Sequence, residues 1–315
     1  MRRRTKSAPG PLPQRDGVDP VRVRLPVDGS WPTVAAYLAH RLPQAAAGRL
    51  AEMLRDGEII GADGPVEPGT PFVPGTSVWF HRDLEPEVPV PFAIEVVHRD
   101  EHLVVVDKPH FLATTPRGRH VAQTALARLR RDLDLPALSP AHRLDRLTAG
   151  LVMFVARPEV RGAYQTLFRD RLVRKEYEAV ARFDEALELP RTVRSRIVKE
   201  RGVIAAREEE GEANSESRIE LLAARGGLGR YRLLPLTGRT HQLRLHMSAL
   251  GIPILGDPVY PQVLPEPAPD DFRAPLQLLA ASLEFTDPLT GREVRLRSRR
   301  TLAAWSDPRG WAAGG

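Results

Sequence analysis

Apolar residues recur at helical spacing over residues 158–172, where Val160, Ala163, Tyr164, Leu167 and Phe168 share one face and Pro158 sits near the start. Residues 121–133 do the same with Ala122, Ala125, Leu126 and Leu129. Both stripes read as core contacts. Around them lie short apolar runs of strand length: 94–98, 103–107, 151–156, 174–183, 218–224, 231–237, 276–285 and 293–298. Strands outnumber helices and do not alternate with them. The pattern therefore predicts an α+β region with a mixed, largely antiparallel sheet and flanking helices. Nearer the N-terminus, TVAAYLAHRL (33–42) and GRLAEMLRDG (48–57) predict two short helices, the second closed by Gly57. Strand-like pieces punctuated by DG and PG turns follow over 58–80. The expected organisation is a disordered basic tail (1–20), a small module (21–84), a Pro-rich linker (85–92), a large domain (93–304) and a C-terminal tail (305–315). The polar, acidic stretch 201–216 reads as a solvated loop.

Composition narrows the chemistry. The absence of Cys excludes disulfides, thiolate zinc sites and cysteine nucleophiles. No apolar run approaches the roughly 18 residues of a membrane span, and the basic N-terminus lacks the apolar stretch of a signal peptide. A cytoplasmic protein is the simplest expectation. The net charge of +6 is unevenly placed: residues 1–16 carry +4, residues 117–182 carry +7, and the remainder sums to −5. A field concentrated in this way suits a phosphate-bearing partner. Only 4 of the 46 basic residues are Lys, and Arg makes forked contacts to phosphate and stacks on bases. A general composition bias towards Ala, Pro, Gly and Arg gives the same count.

The most informative segment is AHRLDRLTAGLVMFVA (141–156), where Asp145 lies between Arg143 and Arg146 just before an apolar strand. A neighbouring guanidinium lowers a carboxyl pKa by about 1–3 units. An ionised, partly desolvated aspartate acts as a nucleophile or a base; a surface Arg–Asp turn has the same pattern. His241 and His246 diverge by about 140° if helical, so they do not form a metal-binding pair, and no metal site is expected. Lys108 either positions the first strand pair near the site or is a plain surface lysine.

HRLDRLTAGL (142–151) resembles the H-R-L-D-x-x-T-S-G-L signature of the RluA-type pseudouridine synthases, with Ala149 in place of the usual Ser. Three more segments match in order: HRDEHLVVVDKP (98–109), the K-x-Y strand RKEYEAV (174–180), and LTGRTHQLRLHMSALGIPILGDPVY (236–260). The likeness implies the pseudouridine-synthase fold and isomerisation of uridine in ribosomal or transfer RNA, with neither metal nor organic cofactor needed; a monomer is expected. It implies that Asp145 is the catalytic carboxylate, that Tyr177 flanks the uracil and helps remove its C5 proton, and that Arg239 pairs with the aspartate. Arg143 then intrudes on the RNA beside a flipped nucleotide. Arg146, Thr240, His241, Gln242 and Arg244 are candidate substrate contacts. Taken singly, Tyr177 also fits a core-filling strand aromatic and Arg239 a phosphate contact.

The N-terminal module resembles the S4 RNA-binding module, although residues 33–85 sum to −3 where that family carries basic residues on its second helix. In the closing block LQLLAASLEFTDP (276–288), Leu279 and Asp287 stand where the synthases usually have histidines. Two other functions compete. A non-catalytic RNA-binding or ribosome-assembly factor would not need Asp145, Tyr177 and Arg239 together. A glycoside hydrolase would need a second positioned acid, and neither Asp107 nor Asp257 is an obvious one.

Overall fold

The computed structural model describes residues 10–42 and 47–313, and the chain separates into two compact units after Pro86. In the first unit, β1 (Val21–Arg24) and β2 (Ser77–Phe80) pair antiparallel, with α1 (Val34–Arg41) and α2 (Ala47–Arg55) between them. The α1 boundary is set by Thr33, whose Oγ1 accepts from the Ala36 N–H at 3.1 Å. Past α2, Gly57 takes φ +67° and the Glu58 N–H returns to the Met53 carbonyl, as the terminal glycine predicts. Leu25, Leu38 and Ile59 are buried at the centre. Of the basic tail, residues 1–9 lie outside the described residues; Arg15 and Val18 bridge in a hydrogen-bonded turn.

The second unit is built on an eleven-stranded sheet. Its strands are β3 (Glu95–Arg99), β4 (Leu103–Lys108), β5 (Ser139–Pro140), β6 (Ala149–Val155), β7 (Arg174–Arg182), β8 (Arg191–Val198), β9 (Arg207–Glu209), β10 (Ser215–Arg225), β11 (Leu228–Pro235), β12 (Leu278–Thr286) and β13 (Glu293–Arg297). The helices are α3 (Ala125–Asp132), α4 (Arg161–Arg169), α5 (Gln242–Ala249), α6 (Ala303–Ser306) and α7 (Pro308–Ala313). Strand order is β3-β4-β6-β12-β7-β11-β10-β8-β9, with β13 added to β12 and β5 to β6. All pairings are antiparallel except β6 with β12.

The period-two alternation of β4 and β6 decides where the helices pack. Leu103, Val105, Leu151 and Met153 cluster with Tyr164 and Leu167 of α4. Val104, Val106, Val152 and Phe154 cluster with Ala125, Leu126 and Leu129 of α3. With both faces covered, β4 and β6 are buried at every position. The parallel contact requires Gly150: at φ +110°, a Cβ there would sit 2.3 Å from the Ala280 carbonyl oxygen.

The structure adds elements that the hydrophobic pattern does not show. β8 and β9 are mostly exposed or half-exposed, so they carry little apolar signal. Part of the acidic stretch 201–216 is therefore strand rather than loop. Residues 305–315 include all of α7 and the end of α6 instead of a bare tail. The Pro-rich run is tied down as well: the Glu87 carboxylate accepts from the N–H groups of Val121, Ala122 and Gln123 at 2.9, 2.6 and 3.1 Å. Among the described residues no helix is long and apolar enough to cross a membrane.

Candidate active site

Asp145 lies in the turn that enters β6, closed by the Thr148 N–H on the Asp145 carbonyl at 3.2 Å. Three side chains from residues 108–114 brace this turn. Thr114 Oγ1 donates to the Leu144 carbonyl at 2.8 Å and accepts from the Leu144 N–H at 3.1 Å. Lys108 Nζ donates to the carbonyls of Pro109 (2.9 Å), Leu112 (2.8 Å) and Arg146 (3.4 Å). His110 Nδ1 is 2.7 Å from the Leu147 carbonyl, which can only accept, so Nδ1 carries the hydrogen. Lys108 is completely buried rather than a surface lysine. Burial pushes its pKa down to about 7, and the nearby Asp145 charge opposes the shift. His142 is scaffold: its Nε2 accepts from the Met153 N–H, its ring stacks on Phe168 at 4.3 Å, and burial takes its pKa down to about 3.

The Asp145 carboxylate faces a cavity of ≈ 650 Å³ that Arg143, Arg146, Tyr177, Arg239, Thr240, His241, Gln242 and Arg244 also line. Every expected site residue is thus brought to one cavity. Their contacts differ from the expectation. The guanidinium beside the carboxylate is Arg244, with Nη1 3.8 Å from Asp145 Oδ2, and not Arg239. Arg239 precedes α5 in an exposed loop and donates from Nε to the Asn214 carbonyl at 3.1 Å. Arg244 lies in the first turn of α5 with its side chain 3% exposed, forked onto Asp257 at 2.7 and 2.6 Å. Asp257, with its side chain 1% exposed, also accepts from the Val259 and Tyr260 N–H groups. A chain of charges therefore runs Asp257–Arg244–Asp145, and only its last carboxylate opens to the cavity.

Gln242 is not available to a substrate. Its amide donates to the Glu216 carbonyl and Ser217 Oγ, and its oxygen accepts from Thr237 Oγ1 and the Arg239 N–H, which uses all four positions. Arg244 is likewise committed to the two carboxylates. Arg143 and Thr240 are exposed at the mouth, and Arg146 is half-buried. Tyr177 lies on β7 between Ala280 of β12 and Leu233 of β11. Burial, reinforced by the Asp145 charge, pushes its phenol well above its usual range, so it is protonated at neutral pH. His241 Nε2 is 3.9 Å from Asp145 Oδ2. His246 turns away, with Nε2 3.1 Å from both Ser195 Oγ and Ser215 Oγ.

Sequence reasoning passed over His110, Thr114 and Tyr260, and left Asp257 without a role. The available signal for Asp257 was a buried arginine needing an acid. The departures from the synthase pattern also find an order. Ala149 and Leu279 are direct partners across the parallel β6–β12 pair, both buried. Where the pattern has Ser and His, this chain has two apolar residues, so neither is left with an unpaired polar group. Asp287 accepts from the Tyr164 hydroxyl at 2.7 Å and caps the turn to Leu289 and Thr290.

A family model described as RNA pseudouridylate synthase matches residues 102–249. The chain is 35% identical to human pseudouridylate synthase RPUSD2 over 58% of its own length, but that match spans only 33% of the human protein. It is 31% identical to ribosomal large subunit pseudouridine synthase D of Xanthomonas campestris, covering 82% of this chain and 83% of that one. Among solved structures, human RNA pseudouridylate synthase domain containing 1 superposes with a TM-score of 0.52 at 24% identity, over 69% of this chain and 87% of that chain.

Proposed function

This chain belongs to the RluA-type RNA pseudouridine synthases, enzymes that isomerise uridine to pseudouridine in RNA, and from that premise we propose that Asp145 is the carboxylate acting on the ribose–uracil bond of a flipped uridine. One observation carries the assignment: Asp145 is the only carboxylate among the described lining residues, its side chain is 37% exposed, and a buried arginine fixes it. The guanidinium at 3.8 Å faces the carboxylate from the buried side and leaves its open side for addition to the sugar or for proton abstraction from it. Among the described residues no second acid lines the cavity, which argues against glycoside hydrolysis by paired carboxylates.

For uracil to detach, rotate and rebond through C5, the base must leave the stack and enter a closed pocket. Tyr177 offers it an aromatic face. The phenol's own proton is held by burial, so stacking is the role its surroundings favour over proton removal. Arg143, exposed at the mouth, takes the place beside the vacated stack, and Arg146, Arg239 and Thr240 meet the neighbouring backbone. We take ribosomal RNA as the leading substrate, because the match to the ribosomal enzyme is longer than the whole second unit and so reaches into the first. We read that first unit as S4-like. Of its two α2 arginines, Arg49 is engaged by Glu58 and Asp83, and Arg55 lies 4.0 Å from Asp56, which leaves little free positive charge on that helix. We place the protein in the cytoplasm as a monomer.

Pseudouridine mapping of total RNA from cells with and without the gene tests the proposal. A single lost site is expected, restored by the wild-type protein and not by Asp145→Asn, whose activity falls by about 10³-fold or more. Restoration by Asp145→Asn would overturn the assigned role. An unchanged map would favour a binding factor on the same fold.

A further inference from the structure

His241 precedes α5 from a left-handed backbone, φ 58° and ψ 16°. Such a conformation is unfavourable for any residue with a side chain and persists where the surroundings fix it. The ring is fixed through Nδ1, which lies 3.1 Å from the Tyr260 hydroxyl. That hydroxyl also lies 2.8 Å from the Ala206 N–H and 2.9 Å from the Ala206 carbonyl. Ala206 is buried, so its carbonyl needs a donor, and a phenol has one hydrogen to give. The hydrogen goes to that carbonyl, and Nδ1 must then donate to the phenol oxygen. A neutral imidazole protonated at Nδ1 leaves Nε2 a bare acceptor. Burial keeps the ring neutral by lowering its proton affinity, against the pull of Asp145.

Nε2 and Asp145 Oδ2 are 3.9 Å apart on the cavity wall, and neither has a hydrogen for the other. The pair is complementary to a donor brought by the substrate. Within an RNA chain the 3′ and 5′ oxygens are esterified, so the 2′-hydroxyl is the only donor on the sugar. It sits on the carbon next to C1′, the atom whose bond to uracil breaks. We propose that His241 Nε2 accepts the 2′-hydroxyl of the target nucleotide and so sets C1′ and C2′ against the Asp145 carboxylate. A hydrogen bond of about 2.8 Å at one group and a reacting contact of about 3–3.5 Å at the other fit the observed spacing. His241 is then a specificity residue that distinguishes ribose from deoxyribose, and its strained backbone serves to aim the ring.

The inference rests on the proposed reaction, and the experiment separates the two. Two synthetic oligonucleotides would span the mapped uridine, one all-ribose and one with 2′-deoxyuridine at the target. Pseudouridine formation by the wild type on the all-ribose strand checks the reaction itself; its absence would remove the premise. Equilibrium binding of both strands is then measured with Asp145→Ala protein, which does not turn over. The deoxy strand should bind about tenfold more weakly. Adding His241→Gly, which relieves the left-handed strain and should melt no lower, should bring the two strands to about equal affinity. Tyr260→Phe, which keeps the ring but frees its tautomer, should shrink the ratio. Equal binding by the Asp145→Ala parent, or an unchanged ratio in either added variant, overturns the proposal.

Discussion

Beneath Asp145, the side chains of Lys108, His110 and Thr114 are turned inward and hold the backbone of residues 144–147 by hydrogen bonds. At the mouth of the same cavity, Arg143, Arg239 and Thr240 stand exposed. The floor is low-dielectric, and each polar group there has a partner whose removal exposes a full desolvation cost. The rim is solvent-exposed, its charges are screened, and its side chains are less tightly held, Arg239 by a single exposed hydrogen bond to the Asn214 carbonyl. Precision is concentrated where the sugar would react, and adaptability where the irregular RNA backbone would arrive. The two regions should therefore fail in different ways when mutated.

The largest effect is expected from Arg244→Met. It leaves Asp257 charged, buried and unpaired, which costs about 3–5 kcal/mol of stability. It also removes the guanidinium beside Asp145. Denaturant unfolding should show the loss, and a variant as stable as the parent would mean that the floor is not held by this pair. Thr114→Val is smaller and sharper. The shape is kept while the Leu144 N–H and carbonyl both lose a buried partner, so about 1–3 kcal/mol should be lost. Activity should fall through kcat rather than KM if the brace positions Asp145. Smallest in stability terms are Arg143→Ala and Arg239→Ala, which should stay within about 0.5 kcal/mol of the parent. Their signature lies in RNA binding, where each should lower the salt-dependence slope by about 1. A rim variant that unfolds, or a floor variant that alters only the salt slope, would dissolve the distinction.

The apolar runs were legible because burial on two faces leaves continuous hydrophobic sequence, as in β4 and β6. β8 and β9 were not, since strands at the sheet's end need hydrogen-bonding partners more than apolar residues. The same divide runs through the site. HRLD and the GRTHQLRLH block pointed to residues that share one cavity, because they sit in local turns whose chemistry is compact in sequence. They did not tell which arginine meets Asp145: Arg239 and Arg244 belong to one short motif, and only the start of α5 turns one inward and leaves the other at the rim.

What the sequence alone determined is the set of elements with an apolar face and the inventory of reactive groups, since propensity, periodicity and motif spacing are local properties. What tertiary structure decided is pairing: Arg244 with both Asp257 and Asp145, Lys108 with three carbonyls, Ala149 beside Leu279, and Tyr260 with His241. Apart from the Lys108 bonds to Pro109 and Leu112, these contacts join residues well separated in the chain. Their strength comes from exclusion of water, and exclusion exists only once the sheet and its helices have closed over them.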